Sequence, residues 1–316
     1  MKYNFLILDG NNLFWRAWAT NVEQLIVDNE VIYSGGIAQF ISRLNQLIDT
    51  FSYKDMVKVY LLFDNPTSTI KARQEIDENY KSHRLNKKYA KEIYKTIEIL
   101  IRILKCYSNN FYILNKKDCE ADDLTFPLLQ HLNISNNGFD SALCISNDLD
   151  WSRNISENVR WYNFYNVFDI SLFEKEYGFK PVKNKVKMYK AIRGDKSDGI
   201  PIGLPYVKED VVLQLIDKFN TMDDLVKNVY DSDFDTKVKN KITENAKRLI
   251  TNYQLVDFLP IDGSIEENII KCEQRIGELK IWYKVLKIEL ESWMQSTEEL
   301  KKNFLKQKEY KRVRGR

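Results

Sequence analysis

Histidine and cysteine are scarce in this chain: there are two histidines, His83 and His131, and four cysteines, Cys106, Cys119, Cys144 and Cys272, none in a C-x-x-C pair. A zinc site is therefore not expected, and the cysteines should pack as small apolar groups in a reducing compartment. Long apolar runs are missing too. The run after Met1-Lys2-Tyr3-Asn4 is too short for a signal peptide, and nothing later reaches the length of a membrane span. The expectation is a soluble cytoplasmic protein with no membrane contact, in which Asn133-Ile134-Ser135 and Asn154-Ile155-Ser156 carry no meaning as glycosylation patterns. Neither sign of charge dominates: 48 lysines and arginines face 45 aspartates and glutamates, leaving +3. The balance alone does not mark a nucleic-acid binder, so basic residues must be judged by where they cluster. Gly194-Asp195-Lys196-Ser197 begins like a phosphate loop, but no Gly-Lys-Ser/Thr follows, which removes support for nucleoside triphosphate binding.

Against these absences stand nine carboxylates in five short clusters: Asp9; Asp64; Glu120 with Asp122 and Asp123; Asp148 with Asp150; and Asp195 with Asp198. Three clusters follow apolar runs at 5–8, 59–63 and 142–145 that read as short buried strands. Ligands collect at the carboxyl ends of strands in an open parallel sheet. The pattern thus predicts Asp9, Asp64, Asp148 and Asp150 at one edge, with Glu120-Ala121-Asp122-Asp123 opening a helix after a further strand at 111–114. Glu120 and Asp123 project from neighbouring parts of one helix face, and Asp122 reaches the same pocket only near the helix start. Carboxylates crowded in a cleft repel one another. Hard oxygen donors at this density suit Mg2+ or Mn2+, and two such ions about 4 Å apart would polarise a phosphodiester and stabilise its leaving oxygen. Singly, each cluster has a plainer reading: the Glu120 group suits any helix N-terminus, and Asp148-Leu149-Asp150 can cap the next element. Asp231, Asp233 and Asp235 imitate a calcium loop, but Thr236 and Ile242 stand where glycine and glutamate are needed, so this is read as a solvated acidic turn.

Helical periodicity at 11–18, 36–51 and 93–104 alternates with the strands, and a fifth strand is expected at 159–164 before a short capped helix at 171–178. Beyond Pro181 the strand pattern stops. Segments 182–193, 208–219, 238–253 and 278–294 read as helices, which places a change of domain near residue 180. Residues 70–94 are rich in charge and poor in apolar side chains, and read as an exposed insertion. Its Arg73, Tyr80, Lys81, His83, Arg84, Lys87 and Lys88 mix cations with aromatic rings, as single-stranded nucleic acid requires, although a charged run is also the mark of a solvated helix face. The tail 306–316 is basic and reads as frayed.

Taken in order, Asp9-Gly10-Asn11, Phe63-Asp64, Arg73 to Tyr80-Lys81-Ser82-His83-Arg84, Glu120-Ala121-Asp122-Asp123, Asp148-Leu149-Asp150 and Gly194-Asp195-Lys196-Ser197-Asp198-Gly199-Ile200-Pro201 resemble the 5′-nuclease or flap endonuclease family. That family includes the 5′-nuclease domain of bacterial DNA polymerase I and the phage 5′-exonucleases. The resemblance runs over about residues 3–216, and the stretch 252–260 is similar to the phage ribonuclease H branch. It implies a PIN-like α/β nuclease domain at 1–180, with a mainly parallel sheet and a helical arch at about 70–92, then a helical, helix-three-turn-helix DNA-binding domain at 181–316. It further implies two Mg2+ ions, replaceable by Mn2+, with Asp9, Asp64, Glu120, Asp122 and Asp123 around the first and Asp148, Asp150, Asp195 and Asp198 around the second. Lys81 and Arg84 match the arch residues that meet the scissile phosphate, where positive charge stabilises developing negative charge. Arg73, Tyr80, Lys87 and Lys88 would join them in holding nucleic acid.

The implied activity is a metal-dependent 5′-3′ exonuclease or flap endonuclease, with ribonuclease H activity in reach. The implied substrate is DNA with a 5′ flap, a nick or an RNA primer, handled by a monomer alongside a replication protein such as a single-strand-binding protein or clamp. The chain departs from the family at 202–210. There Ile202-Gly203-Leu204-Pro205-Tyr206-Val207-Lys208-Glu209-Asp210 replaces a glycine-spaced hairpin whose amides approach phosphate closely, and Glu209 and Asp210 would repel phosphate. Weak duplex binding and little response to potassium are expected. The rival readings are a PIN-type single-strand ribonuclease, which needs neither the arch nor Asp195 and Asp198, and a non-catalytic nucleic-acid binder, which gains nothing from concentrated negative charge. A phosphatase would need an Asp-x-Asp that Asp9-Gly10-Asn11 lacks.

Overall fold

The structure, a computed structural model, describes residues 1–27, 29–53, 56–65, 68–82, 89–134 and 141–286. The expected contacts of Arg84, Lys87 and Lys88 and the basic tail lie outside the described residues. Strand β1 (Phe5–Asp9) passes without a loop into α1 (Gly10–Trp18), and a hairpin of β2 (Leu25–Val27) and β3 (Glu30–Ile32) precedes α2 (Ser34–Phe51) and β4 (Lys58–Leu62). Next come α3 (Ser68–Ile76), α4 (Ala90–Lys105), β5 (Phe111–Leu114), α5 (Ala121–His131), β6 (Ala142–Ile145), β7 (Val159–Tyr162) and β8 (Val167–Phe168). The remainder comprises α6 (Ile170–Tyr177), α7 (Lys183–Arg193), α8 (Glu209–Lys218), α9 (Met222–Asn228), α10 (Thr236–Glu244), α11 (Ala246–Leu255), β9 (Ile269–Lys271) and α12 (Ile276–Leu286).

Seven strands form one sheet in the order β8-β7-β6-β1-β4-β5-β9, parallel from β7 to β5 and closed at both edges by antiparallel strands. The short apolar runs become strands covered on both faces, as parallel strands must be. Alternation decides which face each residue serves. Ile7, Leu62 and Cys144 point into one core, while Leu6, Leu8, Leu61 and Ile145 point into the other. The chain leaves β1 for β4 on one side and returns to β6 on the other, so a crevice opens at the carboxyl end of β1.

The first core runs without a break from Ile7 and Trp161 to Val186, Leu215 and Leu249, so no gap in packing falls at residue 180. Strand β9 corrects the expectation that strands cease after Pro181. It pairs Ile270 with Ile113 of β5, and Cys272, Leu279 and Tyr283 behind it join the second core. The helix expected over 238–253 is two helices, separated at Asn245, whose Nδ2 donates to the Lys241 carbonyl at 2.8 Å and ends α10. All four cysteines are buried and unpaired. Among the described residues no helix is long and apolar enough to cross a membrane.

Candidate metal centre

The strand ends deliver the carboxylates as expected, and the local hydrogen bonding explains how each is aimed. Asp9 ends β1 and caps α1: one oxygen accepts from the Asn12 amide at 2.8 Å and the other from the Ser146 hydroxyl at 2.8 Å. Only glycine fits after it, since a Cβ on Gly10 would sit 2.4 Å from the Phe63 ring. The Asp64 amide donates to Asn11 Oδ1 at 3.0 Å, and the Asp64 carboxylate accepts from the first amide of α5, that of Ala121, at 2.8 Å. Trp151 donates its indole N–H to Asp122. After β6, Asp148 Oδ1 accepts from the Asp150 amide at 2.9 Å.

Asp9, Asp64, Glu120, Asp122, Asp148 and Asp198 line one cavity of about 360 Å³, together with Lys81, Trp15 and Tyr94. Asp195 lines a neighbouring cavity of about 440 Å³ with Asp148 and Lys190. Carboxylate oxygens of Asp122, Asp148 and Asp150 lie within 4.8 Å of one another, so a single divalent ion fits among them. Asp123 is not brought to the cavity wall. It is 3 % exposed and accepts from Arg73 at 3.2 Å and from the Leu259 amide at 2.9 Å.

The insertion is exposed along much of its described length, at Lys71, Glu75, Glu78, Asn79, Tyr89 and Lys91 among others, but three of its expected nucleic-acid contacts turn inward. Arg73, Tyr80 and Lys81 are 4 %, 2 % and 5 % exposed, folded onto the acids that the sequence placed elsewhere in the fold. Arg73 pairs with Glu120, whose other oxygen lies 2.5 Å from Lys81 Nζ, and the Tyr80 hydroxyl donates to the same carboxylate at 3.4 Å. Lys81 also donates its backbone N–H to the Asp198 carbonyl at 2.8 Å, from a left-handed conformation with φ of 51°. The physical reason is charge: buried carboxylates draw in whatever cations the chain can supply, and a sequence run rich in charge does not reveal which way it faces.

Sequence reasoning missed Lys190, Arg153 and Trp151. Lys190 Nζ lies 3.3 Å from Asp148, 2.5 Å from Asp150 and 2.7 Å from Asp195, and Arg153 pairs with Asp150. A signal did exist. Lys187 and Lys190 fall at helical spacing from Val186 and Ala191 on the buried side of α7, where unpaired lysines are not found. At the divergent loop, Glu209 does not stand free to repel phosphate: it pairs with Arg193, which also donates to the Val207 carbonyl at 3.0 Å. Tyr206, with φ of 59°, is 97 % exposed at the tip. Asp233 pairs with Lys218 and Asp235 caps α10, so the Asp231 to Asp235 turn serves local structure.

The carboxyls titrate unequally. Burial, followed by the charge of Asp64, pushes Asp9 up to about 7. Burial, then Asp148, Asp9 and Asp150, raises Asp122 well above the ordinary range. Burial also raises Asp123, against the opposing pull of Arg73. Asp195 goes the other way: against its burial, Lys190 and the Ser197 donors hold it at about 2. Lys190 is itself raised well above its usual value, since Asp148, Asp150 and Asp195 outweigh its burial.

Comparison with known proteins returns one consistent group. The 5′-3′ exonuclease family, in its N-terminal resolvase-like domain, matches residues 4–187. DNA polymerase I of Caldicellulosiruptor bescii is 26% identical over 279 residues, 83% of this chain and 30% of that protein, so the chain spans under a third of the curated relative. The 5′-exonuclease of phage T5 with divalent zinc bound superposes with a TM-score of 0.61 at 19% identity, over 81% of this chain and 89% of that one. The bacteriophage T5 flap endonuclease, as a pseudo-enzyme-product complex with DNA and metal ions, scores 0.60 at 18% identity, over 92% and 100%. The catalytic core of Rad2 in complex with DNA substrate scores 0.54 at 13% identity, over 94% and 93%. These likenesses show a shared α/β fold with a mostly parallel central sheet.

Proposed function

The chain belongs to the 5′-3′ exonuclease family, and from that premise we propose that it is a metal-dependent 5′-nuclease, a 5′-3′ exonuclease or flap endonuclease that hydrolyses phosphodiesters in DNA or in RNA primers paired to DNA. The observation that carries this reading is the convergence of six carboxylates on one cavity at the sheet crevice, with the oxygens of Asp122, Asp148 and Asp150 within 4.8 Å. The donor set is all hard oxygen, which suits Mg2+ with Mn2+ as substitute. Asp9, Asp64, Glu120 and Asp122 would hold one ion, with Asp123 acting from behind them; Asp148, Asp150, Asp195 and Asp198 would hold the other, within reach of Asp122, which both ions would share. Bound there, the ions supply activation of the attacking water and stabilisation of charge on the phosphate and leaving oxygen.

The protein's own residues do the rest. Lys81, tethered by Glu120 and Asp198 at the cavity wall, offers an ammonium to the scissile phosphate, and Arg84 is assigned the same task. Ser146 and Asn12 fix the Asp9 carboxylate, and Trp151 fixes Asp122, so both keep their aim as substrate enters. Lys87 and Lys88 are assigned nucleic-acid contacts of the 70–92 arch, whereas the contacts expected of Arg73 and Tyr80 are replaced by a role inside the site. Arg73 and Tyr80 act by holding Glu120 rather than by facing solvent.

The nuclease unit is assigned to 1–180, which the family match at 4–187 supports, and duplex gripping to 181–316. Duplex binding there is proposed to be weak and little affected by potassium, because the loop before α8 presents Tyr206 rather than a row of glycines. A cytoplasmic monomer working beside a single-strand-binding protein or clamp completes the reading. It is tested with 5′-labelled and 3′-labelled flap, nicked and RNA-primed duplexes. Mg2+ should release short products from the 5′ end and chelator should stop them; 3′-end products, or cleavage indifferent to chelator, would overturn the assignment.

A further inference from the structure

Residues 256–259 lie beyond the N-terminal domain that matches the family at 4–187, yet they grip both sides of the acidic cluster. On one side the Leu259 amide donates to Asp123 Oδ1 at 2.9 Å. Arg73, already paired with Glu120 and Asp123, donates to the Asp257 carbonyl at 2.9 Å. On the other side Arg153, paired with Asp150, donates to the Val256 carbonyl at 2.7 Å and lies 4.4 Å from the centre of the Phe258 ring. The strap is itself pinned, since the Asp257 carboxylate lies 2.6 Å from Lys187 Nζ.

Each arginine therefore joins a backbone carbonyl of the strap to a carboxylate of the site. A guanidinium held at both ends has few orientations left, and it passes that restriction to the carboxylate it binds. Two such links at the adjacent residues Val256 and Asp257 couple the Glu120–Asp123 pair to Asp150. Hydrogen bonds behind the ligands of a metal site are worth roughly tenfold to a hundredfold in metal affinity.

We infer that the 256–259 strap is a positioning element for the divalent-ion site, setting where the Glu120–Asp123 pair stands relative to Asp150. The inference rests on the metal reading above. Its test is Mn2+ binding to the full chain, followed by electron paramagnetic resonance of the free ion, with thermal unfolding in chelator as a measure of fold. Leu259→Pro removes the amide that faces Asp123, and Phe258→Ala removes the ring beneath Arg153; neither touches a carboxylate or a cation of the site. Both should weaken Mn2+ binding by roughly tenfold to a hundredfold, and raised Mn2+ should restore cleavage. Should Leu259→Pro fail to fold, Phe258→Ala decides. A folded variant that binds Mn2+ with wild-type affinity and stoichiometry would overturn the strap alone, whereas a wild-type chain that binds no Mn2+ would remove the metal site as well.

Discussion

Lys190 and Arg153 supply resident counter-charges to Asp148, Asp150 and Asp195, whereas among the described residues Asp9 accepts hydrogen bonds from an amide and a hydroxyl and Asp122 from an indole N–H. The consequence shows in titration: Asp195 is held at about 2 while Asp9 is pushed up to about 7. Resident cations balance Asp148, Asp150 and Asp195, as Arg73 and Lys81 balance Glu120, whereas burial beside other carboxylates favours the protonated form of Asp9 and Asp122. A divalent ion would compete there with the Lys190 ammonium for Asp148, Asp150 and Asp195 and with protons for Asp9 and Asp122.

The sharpest way to break this contrast is Asp148→Asn, because Asp148 borders both cavities. Cleavage should fall below detection while substrate binding stays equal or tightens, since the change removes a ligand and a negative charge near phosphate. Near wild-type turnover at saturating Mg2+ would sink the two-ion reading. Asp123→Asn should act in the same direction with a smaller loss, given its place behind the cavity wall. Lys190→Met comes next. Losing one partner of a buried ion pair costs about 3–5 kcal/mol, so the metal-free variant should unfold at a clearly lower temperature and recover in Mn2+; a variant as stable as wild type in chelator would show that Lys190 is not the counter-charge.

Lys81→Ala tests the arch side, where single-turnover cleavage should drop roughly tenfold to a thousandfold with little change in affinity. A defect cured by more enzyme would reduce Lys81 to an attracting surface charge. The smallest effect is that of pH on the metal-free protein. Asp9 has an ordinary value of 3.8 and a folded value of about 7, so between these the folded chain keeps a proton that the unfolded chain has lost. Stability contributed by this group therefore falls as pH rises through that window and levels off above it. Mn2+ should flatten the fall. A metal-free melting temperature that rises over the same window would contradict the assignment.

The carboxylates were legible in the sequence because strand ends announce themselves: a short apolar run followed by an acid fixes both the place and the direction of Asp9, Asp64 and Asp148. Their cations were not. Lys190 sits on a helix with Lys183, Lys185, Lys187 and Arg193, a pattern that reads as a solvated basic face until its register against Val186 and Ala191 is weighed. Arg73 and Lys81 stand in a polar stretch whose inward orientation depends on Glu120, 47 and 39 residues away. Strand β9 is three residues long and is specified by pairing with β5 rather than by its own pattern. At the loop before α8 the partner of Glu209 was hidden for a similar reason, since it is Arg193, across a turn.

Strand β9 also bears on how the chain comes off the ribosome. Its partner β5 is made some 157 residues earlier, as Ile113 pairs with Ile270. Until residue 271 emerges, the edge of a finished parallel sheet is left open, and open edges recruit other strands. Translation that stalls before this point should therefore yield fragments prone to association and proteolysis. A chain that completes β9 has already synthesised Val256 to Leu259, so sheet closure and the last contacts to Asp123 and Asp150 arrive within one short interval of synthesis.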